Sequence, residues 1–358
     1  MIKSKIAIVG AGNIGTMIAN MLPEDDYDIT VVDSTASAMV QTRLDNVKIL
    51  ALDIGKRNKF VKFLQDKDYV INAGPYFLGE DISRAAFESK TNYFDLTEDI
   101  RQAEQIKELS SKTNDIVFVP QCGLAPGFIS IIANHLAKKF DTVEDIEMRV
   151  GALPMYPSNE LKYNMTWSTD GLVNEYLHLC NAIQGGEMVS LQPLEGYETF
   201  SIDGIEYEAF NTSGGLGTLC DTWMDNVKNM NYKTVRYPGH RYLMRFLIDE
   251  MKLGENNGKA LKKLMNSAIP ATEQDVVLIF VTVSGTKGNK KIQETWTRKI
   301  YGDGNWSAIQ LTTSAGICGM VELHRRGKMP KSGFIKQEDV DFDAFSSVMK
   351  HKFKGIYS

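Results

Sequence analysis

Three glycines and one acid carry the first chemistry legible in this chain. Gly10-Ala11-Gly12-Asn13-Ile14-Gly15 is a G-x-G-x-x-G turn, and Asp33 stands 18 residues beyond its last glycine. In such a turn Gly10 lets the chain reverse tightly. Gly12 lets the backbone approach a pyrophosphate, and Gly15 lets the next helix pack against the preceding strand. The N–H groups at the helix start, around Asn13 and Ile14, then face an anion that the helix dipole favours. An acid at Asp33 can accept both ribose hydroxyls of NAD and would repel the 2′-phosphate of NADP. Ser34 follows it where an arginine could have received that phosphate. NAD is the expected cofactor. The alternative is a glycine turn with no cofactor or with another nucleotide. Asp53 could approach the adenine, or serve as a helix cap or a solvated acid.

The elements that must position these residues alternate. Short β-branched runs predict strands at 5–9, 29–33, 47–54, 68–73, 92–96 and 116–120. Helical spacing of apolar residues runs through Ile14–Leu22, through Ile82–Phe87, and from after Leu96 to about Lys112. Alternating strand and helix implies parallel pairing, hence an α/β fold with an N-terminal Rossmann, doubly wound sheet. Ligands of such sheets sit beyond the carboxyl ends of the strands. Three turns lie there: Asn72-Ala73-Gly74-Pro75-Tyr76, Asp95-Leu96-Thr97-Glu98 and Gln121-Cys122-Gly123-Leu124-Ala125-Pro126-Gly127. Their small or polar residues could line a nicotinamide pocket, with Ala73 and Pro75 against the cofactor. Thr97 or Asp95 could equally cap the next helix.

Beyond Gly127 the pattern changes. A helix through Ile131, Ile132, His135 and Leu136 leads into strands such as 146–150 and 276–283, separated by long connections rich in Tyr, Trp, Gly and Asn. This predicts a second, α+β domain with a mixed sheet. A last helix spans about 315–325, where Gly316 and Gly319 would permit close packing, and Lys331–Ser358 reads as a strap returning to the first domain. The expected domains are 1–125, 126–310 and 311–358.

Composition bounds the class. The chain has 358 residues, 43% apolar and 24% charged, with net charge −5. That suits a soluble two-domain protein and argues against a nucleic-acid binder. Cys122, Cys180, Cys220 and Cys318 form no C-x-x-C pair, so no metal is expected and a reducing compartment is. No apolar run approaches the roughly 18 residues of a membrane span. Lys3 and Lys5 precede Ile6–Val9, but that run is too short for a signal peptide. The expected location is the cytoplasm, with no membrane partner.

Larger blocks carry a resemblance. Besides the glycine turn they are Asn72-Ala73-Gly74-Pro75, Tyr93-Phe94-Asp95-Leu96-Thr97, Cys122-Gly123-Leu124-Ala125-Pro126-Gly127, Gly151-Ala152-Leu153-Pro154, Thr166-Trp167-Ser168-Thr169-Asp170-Gly171-Leu172 and Arg236-Tyr237-Pro238-Gly239-His240. With these the chain resembles the saccharopine dehydrogenase-like superfamily, most of all its lysine 6-dehydrogenase branch. The resemblance implies oxidation of a C–N bond or reduction of an imine. It also implies a substrate cleft between two domains and a homodimer formed through the second. Pocket roles carry over to Pro75, Tyr76, Asp95, Cys122, Gly123 and Trp167. Where saccharopine reductases have an arginine soon after the tryptophan, this chain has Asp170. An acid suits a substrate ammonium better than a carboxylate-rich substrate.

The implied reaction, oxidative deamination of L-lysine at its 6-amino group, needs a general base. His240 is the first candidate and Asp95 the second. Arg236 could hold the α-carboxylate as a fork. Each has a plain structural alternative: a turn histidine, a cap, an ion pair. Cys122 could be a buried inert thiol, and Tyr76 and Trp167 could be core aromatics. The competing functions are a saccharopine, opine or carboxy-polyamine reductase, and a non-catalytic NAD-binding protein.

Overall fold

The computed structural model describes residues 2–34, 47–353 and 356–357; Met1 and Ser358, the outer limits of the expected domains, lie outside them. The chain divides into one compact unit of Met1–Ile131 with Gln310–Ser358 and a second of Ile132–Ile309.

In the first unit the strands are β1 (Ser4–Val9), β2 (Tyr27–Asp33), β3 (Lys48–Ala51), β4 (Tyr69–Asn72), β5 (Asn92–Asp95) and β6 (Val117–Val119). Between them run α1 (Asn13–Met21), α2 (Arg57–Leu64), α3 (Gly79–Ser89) and α4 (Ile100–Ser110). The order is β6-β5-β4-β1-β2-β3 with every pairing parallel, so the winding reverses between β1 and β4. Ile6, Ala7, Ile8, Val70, Ile71, Phe94 and Val117 are all buried, as strands covered on both faces must be. The doubly wound expectation is met. Two details differ. β3 stops at Ala51 rather than 54, because the Asp53 carboxylate accepts the Gly55 N–H at 2.9 Å and turns the chain. Helix α2 was not expected. Only Phe60 and Leu64 of its residues are buried, and a single i, i+4 pair amid lysines is too thin a stripe to read.

The second unit begins within α5 (Phe128–Ala137) and holds β7 (Thr142–Pro154), α6 (Thr169–Leu177), β8 (Cys180–Gln184), β9 (Glu187–Leu191), β10 (Glu198–Ile202), β11 (Ile205–Asn211), α7 (Leu219–Trp223), β12 (Val227–Arg236), α8 (His240–Arg245), α9 (Glu255–Ala268), β13 (Asp275–Lys287) and β14 (Lys290–Tyr301). The order β10-β11-β12-β7-β13-β14 mixes a parallel β12–β7 pair with antiparallel neighbours, and the β8–β9 hairpin adds to β12. This is the mixed sheet expected. Five of its strands, β8 to β12, were read as connections. β9 and β10 expose every other residue or more, so their apolar content is diluted by Glu, Ser and Thr.

The chain leaves the second unit in α10 (Ala308–Arg325), whose first N–H groups, of Ala308 and Ile309, are accepted by the buried Asp275 carboxylate. Back in the first unit follow β15 (Gly333–Phe334), parallel to β6, and α11 (Phe342–Lys352). A Cβ on Gly316 would stand 2.6 Å from the Cys122 and Gly123 carbonyls, and one on Gly319 would meet Met349 and Phe345, so only glycine lets α10 lie this close. Glu322 of α10, wholly buried, accepts from Tyr27 of β2 and pairs with Arg325 and Arg326. Burial would raise its pKa, but the Arg325, Tyr27 and Arg326 donors outweigh burial and hold it at about 2.

Candidate active site

The glycine turn joins β1 to α1. Gly10 takes φ +107°, a conformation that glycine alone adopts cheaply. A Cβ on Gly15 would fall 1.9 Å from the Gly10 carbonyl oxygen, which fixes why helix and turn need glycine there. Around Gly12 nothing lies within 4 Å of such an atom. Gly12 is the helix N-cap with no side-chain cap, and the first turn of α1 holds no acid. Helix-terminal N–H groups, an open approach and no competing carboxylate fit a phosphate group. Asp33, at the end of the neighbouring β2, accepts the Ala11 N–H at 3.0 Å, so the acid is locked to the turn it serves. Asp53 instead closes its own turn on Gly55.

At the carboxyl ends of β4 to β6 the expected turns come together. The Asn72 side chain accepts the Gly74 N–H at 3.1 Å and shapes the turn that holds Ala73 and exposed Pro75. Tyr76 is half-buried, with its ring edge-on to Phe77. Asp95 is wholly buried; its carboxylate accepts from the N–H groups of Thr97 at 3.0 Å and Gln121 at 2.9 Å and from the Tyr93 hydroxyl at 2.8 Å. Burial nevertheless pushes its pKa up to about 6. Cys122 donates its own N–H to the Asp95 carbonyl and its thiol to the Val119 carbonyl at 3.0 Å, while the Gln337 amide donates to its sulfur. Burial raises the thiol pKa well above the ordinary value, so it stays a neutral packed thiol. Gly123 has the Gly127 backbone against it, where a Cβ on Gly127 would be 2.0 Å from its oxygen. Sequence reasoning passed over Glu98, three residues after Asp95. It is partly buried, and burial raises its pKa; its only sequence signal was its place in that turn.

In the second unit, Arg236 ends β12 and His240 opens α8. His240 is wholly buried, its Nδ1 3.0 Å from the Leu161 carbonyl and its Nε2 3.0 Å from the Tyr176 hydroxyl. A carbonyl only accepts, so Nδ1 carries the proton; Nε2 then accepts from Tyr176, whose oxygen accepts from Arg236 Nε at 3.0 Å. Burial, with the Arg236 charge beside it, lowers the His240 pKa to about 3. In this setting His240 is poorly suited to the expected role of general base. An imidazole with so low a pKa is ready to accept a proton but binds it too weakly to serve as an effective base near neutrality. Trp167 packs against the cluster of Leu172, Tyr176 and Phe210, as a core aromatic would. The Asp170 carboxylate, 65% exposed, lies 2.8 Å from the Lys262 ammonium of α9. The cation it meets is thus one of the chain's own. Among the described residues no cluster suits a metal ion and no helix is long and apolar enough to cross a membrane.

Comparisons with known proteins agree with this layout. A family model described as the saccharopine dehydrogenase NADP binding domain matches residues 6–117, and one described as the saccharopine dehydrogenase C-terminal domain matches residues 123–352. The chain is 24% identical over 322 residues to the mitochondrial alpha-aminoadipic semialdehyde synthase of Mus musculus and 22% to that of Rattus norvegicus. Each match takes in 84% of this chain and 34% of the relative, so the chain spans about a third of those proteins' length. Among solved structures, apo saccharopine dehydrogenase (L-Glu forming) from Saccharomyces cerevisiae superposes with a TM-score of 0.82 at 15% identity, covering 98% of both chains. Homospermidine synthase from Legionella pneumophila, in complex with NAD, gives 0.67 at 15% identity, covering 98% of this chain and 90% of that one. At such identities the likeness shows a shared fold.

Proposed function

This chain belongs to the saccharopine dehydrogenase family, and on that premise we propose that it is an NAD-dependent oxidoreductase acting on the C–N bond of an amino acid, with oxidative deamination of L-lysine at the 6-amino group as its reaction. The observation that carries the cofactor is the Asp33 carboxylate fixed on the Ala11 N–H beside an uncapped helix start. Asn13 and Ile14 would present N–H groups to the pyrophosphate, and Asp33 would accept from the ribose hydroxyls and repel a 2′-phosphate. When bound, the cofactor supplies the hydride acceptor. The protein's part is to hold the amine neutral, because hydride leaves readily only from a carbon bearing an uncharged nitrogen. Asp95, the last residue of β5, with a pKa of about 6, is poised to take that proton near neutral pH. Ala73, Pro75, Tyr76, Cys122 and Gly123 would wall the same end of the sheet. A cytoplasmic homodimer, with no nucleic-acid or membrane partner, completes the reading.

A second reading is a reductase of the saccharopine or carboxy-polyamine kind. What favours it is the similarity to alpha-aminoadipic semialdehyde synthase across 84% of the chain. One assay separates the two: absorbance at the reduced-nicotinamide band with NAD or NADP and L-lysine, saccharopine or diamines. The expected result is a rise with lysine and NAD, with NADP at least about tenfold poorer, as one repelled phosphate would give. Turnover of saccharopine and not lysine would transfer the function to the second reading. The same assay tests the base. A carboxylate must lose its proton to act, so kcat/KM is expected to climb with pH through about 6 and level off above it. Asp95→Asn should lower the plateau by about 10²–10⁴. An unaltered acid limb in that variant would assign the proton to another group.

A further inference from the structure

We infer that Gln337, carried back to the first unit by the C-terminal segment, is a positioning residue for Asp95: its amide holds the Pro120–Gln121 peptide in the orientation that gives the Gln121 N–H to the Asp95 carboxylate. The inference rests on the reading of Asp95 as the general base and names a contact that prepares it. β15 lies parallel to β6, and the Ile335 N–H is donated to the Phe118 carbonyl at 2.9 Å. The short 3₁₀ helix Gln337–Asp339 therefore falls at the carboxyl end of β6. There Gln337 Nε2 donates to the Pro120 carbonyl at 2.8 Å and to Cys122 Sγ at 3.4 Å. The Pro120 carbonyl and the Gln121 N–H are the two ends of one planar peptide group. That N–H is donated to Asp95 Oδ1 at 2.9 Å. One rigid plane thus joins the glutamine to the carboxylate, and a donor on its carbonyl strengthens the N–H at its other end.

Two observations say that this plane needs holding. Gln121 takes φ +64°, the left-handed region, which is costly for a residue with a Cβ. A half-turn of the Pro120–Gln121 peptide would bring that φ to an ordinary negative value. It would also turn the N–H away from Asp95 and the carbonyl oxygen toward it. The hydrogen bonds at the two ends of the peptide oppose that rotation. The second observation is the glutamine itself. It is 3% exposed, and its Oε1 has no hydrogen-bond partner among the described residues. Burying an acceptor in this way costs free energy that a methionine of like volume would not, so packing alone does not account for an amide here. The two bonds of Nε2 do. What depends on them is the acidity of the base. Burial pushes the Asp95 pKa up, and the N–H groups of Thr97 and Gln121 with the Tyr93 hydroxyl pull it back. The titratable groups facing it are Tyr93 in its own strand, Glu98 in the turn that follows and Cys122 beyond β6. Burial keeps Tyr93 and Cys122 neutral and Glu98 brings only negative charge, so no cation among them replaces a lost N–H.

The test is Gln337→Met, which keeps the volume and removes the donor. Gln337→Asn, which keeps an amide but draws it back by one methylene, carries the same expectation should the first variant not fold. The acid limb of kcat/KM for lysine, near pH 6 in the wild type, is expected to move up by about one to two pH units, as loss of an N–H to a carboxylate gives. Adding Gln121→Gly, which takes a positive φ without strain, should bring that limb most of the way back. A second readout needs no turnover. A carboxyl whose folded pKa is raised further regains more stability on acidification. Between pH 7 and 4.5 the urea unfolding equilibrium of Gln337→Met should therefore recover about tenfold more than that of the wild type, and this excess should vanish when Asp95→Asn is added. If the excess appears and vanishes in this way while no amine is oxidised, the positioning role stands and the lysine reading falls. If lysine turns over and Gln337→Met lowers the plateau without moving the acid limb, the glutamine is merely structural and the inference is wrong. An excess that is absent, or that persists beside Asp95→Asn, overturns it as well.

Discussion

Gly12→Ala is expected to leave the fold intact and weaken NAD binding about a hundredfold. The added methyl meets nothing within 4 Å, so it strains no packing; it takes up the close approach that a glycine at this place leaves to a pyrophosphate. A hydrogen bond from a backbone amide to a charged oxygen is worth about 1.5–3 kcal/mol, and displacing the pyrophosphate from two of them reaches the expected factor even when contact is only partly lost. Gly15→Ala makes the contrast. Its methyl would lie 1.9 Å from the Gly10 carbonyl oxygen, a backbone atom that cannot rotate aside. Either α1 slides off β1 or the turn opens, so this variant should lose thermal stability and affinity together. Fluorescence titration with NADH, alongside thermal unfolding, reads both quantities. Normal NADH affinity in a well-folded Gly12→Ala protein would mean that this helix end does not hold the pyrophosphate.

The contrast between these glycines also shows what a sequence discloses. Gly10, Gly12, Gly15 and Asp33 were legible because their spacing is dictated by the local path strand–turn–helix, and local paths are written in local residues. Asp95 and Cys122 were found as members of strand-end turns for the same reason. What could not be read was burial. His240 and Arg236 lie four residues apart in a turn-rich segment, but their chemistry is set by Tyr176 and Leu161, which are 64 and 79 residues distant from the histidine. Strands β8 to β12 escaped for a related cause: half-exposed antiparallel strands gain their stability from neighbours in the sheet rather than from their own apolar content.

Burial of titrating groups gives the protein opposing pH dependences, which two variants should separate. His240 has a pKa of about 3 in the fold and 6.5 as its ordinary value. Below pH 6.5 the unfolded chain takes up a proton that the native ring refuses, so stability is full above that pH and is lost as pH falls. By pH 4.5 the loss is two units, about 3 kcal/mol at roughly 1.4 kcal/mol per unit. Asp95 acts the other way. Its folded pKa of about 6 lies above its ordinary 3.8, so its contribution is fully present below pH 3.8 and is lost as pH rises through 6. Acidifying from 7 to 4.5 thus returns about 2 kcal/mol through Asp95. Glu98, which burial lifts to about 7 from an ordinary 4.5, returns stability in the same direction as Asp95, so the readout is each variant's change in slope against wild type. Glu322, with a pKa of about 2 against an ordinary 4.5, adds its own loss only as pH falls below about 4.5 and so barely enters. In His240→Gln stability at pH 4.5 relative to pH 7 should improve by about 3 kcal/mol, because glutamine can still accept from Tyr176 without a proton to refuse. In Asp95→Asn it should worsen by about 2 kcal/mol, because the compensating group is gone. Urea unfolding midpoints at pH 7 and 4.5 measure these differences directly. Parallel pH slopes in wild type and His240→Gln would mean that the native imidazole accepts a proton as readily as the unfolded one, and with that the enclosed Arg236–Tyr176–His240 chain would lose its basis.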